Sequence, residues 1–238
     1  LLERAAAVEP ASGGRLRARV RFSSLESRLF LHSGFPTTEH DAVFFGPDTY
    51  RFCALLQRWA GKPRSVLDVG CGTGAGGICC GASAGRVVLA DVNRAALAAA
   101  EVNAALAGLR VEVVHSDLAQ SVSGQFDLII ANPPYMRDAS ARIYRDGGGA
   151  YGEALSVRIV REALPRLSPG GTLIVYTGAP IVRGQDVFQQ SVLPWLEGQR
   201  VAFRYEELDP DVFGEELDQP GYEDVERIAA VGLRVCGS

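Results

Sequence analysis

The sequence predicts an α/β fold with a mostly parallel sheet and helices on both faces, and three observations point to it. Short apolar runs recur at Val66–Val69, Val87–Ala90, Val111–Val114, Leu128–Ala131 and Leu173–Tyr176. Between them lies helical spacing, as in Ala95, Ala98, Ala99, Val102 and Leu106. The first run passes directly into a glycine-rich stretch, Gly70-Cys71-Gly72-Thr73-Gly74-Ala75-Gly76-Gly77. Strand–helix alternation of this kind requires parallel strands covered on both sides. Right-handed crossovers then bring the C-terminal ends of the strands to one edge.

The segment before Asp41 follows a different pattern. Arg17–Phe22 and Arg28–Leu31 read as one β-hairpin around Ser23–Ser27, closed by Gly34-Phe35-Pro36. Arginines alternate with apolar residues there, which suits a basic flap over a substrate or simply a solvated face. The chain therefore divides into an N-terminal extension, 1–40, and a main domain, 41–238. At the far end, Arg200–Leu208 and Arg227–Cys236 read as two more strands joined by a long loop with no helix between them.

Chemistry-bearing residues stand where strands end. Glycines after a parallel strand let the backbone turn tightly and aim the next helix's N–H groups at a ligand. Gly70, Cys71, Gly72 and Gly74 are the candidate cradle. Gly72, Gly74 and Gly77 also have dinucleotide spacing, so a nicotinamide or flavin oxidoreductase competes at this point. Asp68, two residues before the first glycine, favours a ligand with a free amino group, which S-adenosylmethionine carries. Asp91-Val92 ends the second strand, where a carboxylate can accept both ribose hydroxyls or cap the helix expected over Asn93–Ala107. Asp117-Leu118 ends the third, where a carboxylate suits an adenine amine or a solvated turn.

Asn132-Pro133-Pro134-Tyr135 follows the fourth apolar run. Neither proline has an N–H, and each restricts the residue before it, so the turn is stiff and rich in carbonyls. Asn132 adds a side-chain acceptor and Tyr135 a flat ring. Two acceptors and a platform suit a planar NH2 group.

In this order, the motifs resemble those of class I S-adenosylmethionine-dependent methyltransferases that act on planar nitrogens. The likeness is greatest to the HemK-type glutamine methyltransferases of peptide-chain release factors. Phe45–Tyr50 stands where that family has a proline-acid-threonine-glutamate segment, with Tyr50 in the glutamate's place. Asp146-Gly147-Gly148-Gly149 precedes a helix through Glu153–Leu167, and Ser168–Leu173 opens the fifth strand. Val175-Tyr176-Thr177-Gly178 departs from a glutamate-containing strand end. The resemblance implies a Rossmann-like sheet of seven strands ending in an antiparallel hairpin. It implies S-adenosylmethionine held by Asp68, Gly70, Cys71, Gly72, Gly74, Asp91, Val92, Asp117, Leu118 and Asn132. Asn132, Pro133 and Tyr135 become the catalytic set, the first two orienting the nitrogen and Tyr135 clamping the plane. The same tetrapeptide occurs in enzymes that methylate adenine or guanine amines in RNA or DNA, so a nucleobase is the alternative to a glutamine amide. A non-catalytic protein that kept the fold would show the same pattern.

Composition sets the outer bounds. With 238 residues, 47% hydrophobic and 22% charged, the chain can bury a core without metals or disulfides. No window approaches the ~20 apolar residues of a membrane helix and no signal pattern opens the chain, so a cytoplasmic protein is expected. Cys53, Cys71, Cys79, Cys80 and Cys236 lack metal-ligand spacing and read as reduced thiols; no metal is expected. A net charge of −4 is not the footprint of a nucleic-acid binder. Tyr205–Glu226 holds ten acidic residues and no Lys or Arg, on the expected edge of Asn132. An acidic rim attracts basic protein surface. The expected partner is a macromolecular substrate, protein slightly ahead of RNA or DNA, with no membrane.

Overall fold

A computed structural model describes residues 7–237 of the chain. Two antiparallel ribbons come first: β1 (Val8–Ala11) with β2 (Arg15–Ala18), and β3 (Val20–Leu25) with β4 (Arg28–Ser33). The single hairpin expected here is therefore two, and residues 1–6 of the expected extension lie outside the described residues. The strand breaks at Arg19, whose carbonyl accepts from Gly34 N at 2.7 Å. Gly34 approaches so closely that a Cβ there would strike the Ala18 carbonyl.

The main sheet follows. Along the chain run α1 (Pro47–Trp59), β5 (Ser65–Val69), α2 (Ala75–Gly81), β6 (Arg86–Asp91), α3 (Arg94–Leu106), β7 (Glu112–His115) and β8 (Phe126–Ala131). Then come α4 (Ala154–Ala163), β9 (Leu167–Val182), β10 (Gln185–Asp186), α5 (Val187–Gln199), β11 (Ala202–Asp209) and β12 (Val225–Cys236). The strand order is β11-β12-β9-β8-β5-β6-β7, with β10 attached to β9. The five strands β7, β6, β5, β8 and β9 are parallel. Only β12 of the seven principal strands runs against its neighbours, forming the terminal hairpin with β11.

The apolar runs separate by parity into two cores. Leu67, Val69, Val88, Ile129 and Leu173 face α4 and α5 through Ile159, Phe188 and Val192. Their neighbours Val66, Leu89, Leu128 and Ile130 face α1 and α3 through Phe52, Leu56, Leu97 and Ala100. Alternate side chains of a strand point to opposite faces, so a strand covered on both sides must be apolar throughout. β9 runs well past Tyr176 because Thr177–Val182 pairs with β12. Two helices had no counterpart in the motifs. α1 begins at Gly46-Pro47, with proline in its first turn and Gly46 N donating to Thr49 Oγ1 at 3.3 Å. α5 begins at Asp186, which caps Gln189 N at 2.7 Å.

The second ribbon is fastened to the sheet domain. Asn103, buried in mid-α3, accepts from Leu31 N at 2.6 Å and donates to Leu31 O and Thr73 O, both at 3.0 Å. Phe30 is fully buried and stacks on Phe45 at 5.5 Å. That packing sets Asp41–Phe45 along the sheet edge where the motifs gather.

Candidate functional site

The glycine loop turns on its backbone. Gly70 and Cys71 both donate to Ala90 O, at 2.9 and 3.0 Å, so the loop is hung from the end of β6. Gly70 and Gly72 have φ of +67° and +53°, a region that disfavours side chains. Gly74 departs from its expected place. It does not line the cavity; its Cα faces Ala100 and Leu89, where a Cβ would sit 3.1 Å from each. Its glycine serves the left-handed turn into α2, at φ +75°, and the close packing of the loop against α3 and β6.

Two buried carboxylates hold this loop. Asp68 Oδ2 accepts from Gly77 N at 2.7 Å. Burial raises Asp68 to about 7, partly opposed by that bond, with the Asp91 charge adding to the rise. Asp91 accepts from Gly72 N at 2.9 Å and Asn93 N at 2.8 Å. Burial also raises Asp91, and the backbone N–H groups counter it. Asn93, not Asp91, caps α3, accepting from Ala95 N at 2.9 Å. Neither Asp68 nor Asp91 has an ion-pair partner among the described residues. A buried anion without a counter-charge is costly unless a ligand supplies one. Asp117 is exposed and its Oδ2 accepts from Arg158 at 2.7 Å and Gln120 at 3.3 Å.

These groups open onto one cavity of about 180 Å³. Asp68, Gly70, Cys71, Gly72, Asp91, Val92, Asp117, Leu118, Asn132 and Pro133 all line it. Asn132 therefore faces the same space as the glycine loop and the end of β6. Its side-chain amide has no protein partner among the described hydrogen bonds and is not buried unsatisfied, so donor and acceptor remain open to the cavity.

Tyr135 does not line this space, which corrects its expected place as a clamp on the acceptor. The ring is 5% exposed and packs over Gly178, where a Cβ would collide with it. Its hydroxyl donates to Asp48 Oδ2 at 2.5 Å, and Tyr176 donates to Asp48 Oδ1 at 2.8 Å. Burial and the Asp48 charge push both phenols well above their ordinary range. Asp48 thereby ties the start of α1 to the Asn132–Tyr135 turn and to β9, and Arg51 lies 3.6 Å from the same carboxylate. The residue was within a quoted motif, but nothing local showed its partners. Tyr50, in the family's glutamate position, points away and donates to Ser24 O at 3.0 Å.

The chain after Tyr135 folds back over the turn. Met136 N donates to Arg145 O at 3.1 Å and Gly147 N to Met136 O at 2.9 Å. A Cβ on Gly147 would meet Pro134 O at 2.7 Å, which explains the glycine run at this point. Phe44, Thr49, Ile143 and Tyr144 also line the cavity, and the sequence held no sign of a role for any of them. The acidic 205–226 stretch does lie against this edge: Glu216 pairs with Arg145 at 2.5 Å and Gly221 O accepts from Arg137 at 2.9 Å. Its charge is partly matched, since Glu206 pairs with Arg58 and Arg204, Glu207 with Arg227 and Asp209 with Arg51. A short 3-10 turn, Gly214–Asp218, interrupts what was expected to be an open loop.

Among the described residues no helix is long and apolar enough to cross a membrane, and no group of three His, Cys, Asp or Glu stands together as metal ligands.

Comparison with known proteins gives the family. The chain is 32% identical over 169 residues to a release factor glutamine methyltransferase of Borreliella burgdorferi, covering 63% of this chain and 58% of that one. It is 32% identical over 156 residues to ribosomal RNA small subunit methyltransferase C of Chromohalobacter salexigens, covering 63% and 44%. The chain thus spans about half the length of these relatives. Among solved structures, the Thermus thermophilus 16S rRNA N2 G1207 methyltransferase with AdoMet and guanosine shares the fold at a TM-score of 0.58 and 19% identity, covering 97% of this chain and 57% of that one. Residues 52–180, the stretch from α1 to β9, match the methyltransferase small domain family. The chain belongs to that family, within the class I S-adenosylmethionine-dependent methyltransferases and close to the HemK type.

Proposed function

We propose that the protein transfers the methyl group of S-adenosylmethionine to a planar NH2 nitrogen of a macromolecular substrate. One observation carries the reading: the unpartnered Asn132 amide shares a cavity with Gly70, Gly72 and Asp91. The residues fit the cofactor. Asp68 offers a buried, uncompensated carboxylate to an amino group, and Asp91 offers one to ribose hydroxyls. Val92 and Leu118 give apolar sides to an adenine, and Asp117 Oδ1 is left for its amine. When bound, S-adenosylmethionine supplies a methyl group activated by a positive sulfur.

The chain's own residues do the positioning. The Asn132 oxygen and the Pro133 carbonyl would accept the two NH2 protons, turning the nitrogen lone pair into the cavity. Both acceptors also favour the positive charge that develops on nitrogen, so their pull is strongest in the transition state. Fixing the acceptor beside the cofactor supplies most of the remaining advantage. A strong base is not needed, because the nitrogen's proton becomes acidic once the methyl is attached. An oxidoreductase site would leave the Asn132–Tyr135 turn without a task.

Release-factor glutamine and ribosomal RNA are the substrates named for the two groups of relatives. The acidic 205–226 stretch supports the protein reading less than its composition suggests. Four of its ten carboxylates, Glu206, Glu207, Asp209 and Glu216, are paired with arginines. The deciding experiment gives the protein radiolabelled cofactor and separate protein, ribosomal RNA, transfer RNA and DNA fractions. Label in one fraction that vanishes with Asn132→Ala supports the proposal. Tight nicotinamide binding with no affinity for S-adenosylmethionine would refute it.

A further inference from the structure

We propose that Phe44 and Tyr144 form a flat aromatic wall for the acceptor, and that the acceptor is therefore a nucleobase with an exocyclic amine, not an aliphatic amide. This deepens the methyl-transfer reading and rests on it. The two rings come from segments one hundred residues apart, yet they lie nearly parallel, 10° between planes and 5.8 Å between centroids. Both line the cavity that holds Asn132 and Pro133. Phe44 is 36% exposed.

The wall is held rigidly. Tyr144 donates its hydroxyl to Thr37 O at 2.8 Å, and Arg142 Nη1 donates to the Tyr144 hydroxyl oxygen at 3.1 Å. The Arg142 guanidinium lies 5.6 Å from the ring centroid. Asp138 fixes that guanidinium through Nε at 2.8 Å and Nη2 at 2.7 Å. Phe44 folds over Gly46, where a Cβ would lie 2.8 Å from its Cε1. Such support for a half-exposed ring at a cavity mouth is what a preorganised contact surface requires.

Stacking discriminates between the two candidate acceptors. Every nucleobase has a π-face to lay on an aromatic ring. A glutamine amide has little flat surface and is reached by a flexible aliphatic stem. Tyr135, the other aromatic of the motif, is buried and bonded to Asp48, so it leaves this task unfilled.

The test offers labelled cofactor to the protein with adenosine, guanosine and cytidine, with the same bases in single-stranded RNA and DNA, and with a glutamine-bearing peptide. At least one base should accept the methyl group, and the free and polymeric arms distinguish nucleoside from nucleic acid. Phe44→Ala and Tyr144→Ala should each raise the KM for that base by ~10-fold or more, exceeding any change in cofactor affinity. Phe44→Trp should restore it, and Phe44→Leu replaces the alanine variant if that fails to fold. Methylation of the peptide alone, or a base KM indifferent to both substitutions, overturns the wall while leaving methyl transfer standing. Cofactor binding without transfer to any base or to the peptide overturns both proposals. Transfer that survives Asn132→Ala sinks the methyl-transfer geometry whatever Phe44 does.

Discussion

The two sides of the cavity are built in different ways. The side assigned to the cofactor comes mainly from one short span, Asp68–Asn93, and is held by backbone hydrogen bonds to Asp68, Ala90 and Asp91. The acceptor side is collected from distant segments: Thr37–Thr49, Asn132–Gly147 and Tyr176. Side chains do most of the joining, through Asp48 and through Arg142 and Tyr144, beside one backbone bond from Ile143 N to His40 O at 3.2 Å. The first side suits an invariable ligand. On the proposed reading, the second sets the acceptor's contacts through side chains drawn from distant segments.

Substitutions on the two sides should therefore separate binding from turnover. The largest effect is expected from Asn132→Ala, which should lower turnover by at least ~10²-fold, the scale of losing one transition-state partner. Calorimetric cofactor affinity should stay close to that of the wild type; equal losses of both would merge the two sides. On the other side, Asp91→Ala should weaken cofactor binding by ~10–100-fold, as hydrogen bonds to a charged acceptor are worth ~1.5–3 kcal/mol. It also frees the Gly72 and Asn93 amides. Unchanged affinity in that variant removes Asp91 from the site.

Asp68 gives the cofactor side a pH dependence. Its folded value of about 7 lies above that of a free carboxylate, so the folded protein holds this proton under mildly acidic conditions. The protonated form offers no charge to an amino group. Cofactor affinity should thus be full above about pH 7 and fall by roughly tenfold per unit below it, a slope Asp68→Asn abolishes. A flat wild-type profile would place the amino group elsewhere. The smallest effect is expected from Tyr135→Phe. It removes one hydrogen bond to Asp48 and should cost ~1.5–3 kcal/mol of stability in urea, with a minor change in KM. Intact stability with a raised acceptor KM would return Tyr135 to the role of clamp.

The same division governs what could be read from the chain. Gly70, Cys71, Gly72, Asp91 and Asn132 could be placed along one edge from the chain because each adjoins the strand that positions it, and all of them line one cavity. The apolar runs Val66–Val69 and Leu128–Ala131, alternating with helical spacing, likewise made the doubly covered sheet legible. Spacing does not say whether a glycine serves a ligand or a helix contact, and Gly74 packs against Ala100 and Leu89 outside the cavity lining. Asp48 binds partners 87 and 128 residues away, which no local pattern records. Asn103 falls within the helix expected over Asn93–Ala107 with nothing to mark it, yet it holds β4 through two hydrogen bonds to Leu31 and the glycine loop through a third to Thr73 O. The N-terminal alternation was read correctly as strand, but the break at Arg19 depends on Gly34, far along the next ribbon.

The central claim is spatial and can be measured in solution. With S-adenosylmethionine carrying a 13C-labelled methyl, nuclear Overhauser contacts from that methyl report its neighbours directly. Contacts to the Asn132 side-chain amide and to Pro133 are the predicted result. A bound cofactor whose methyl contacts other residues but neither of these would contradict the account.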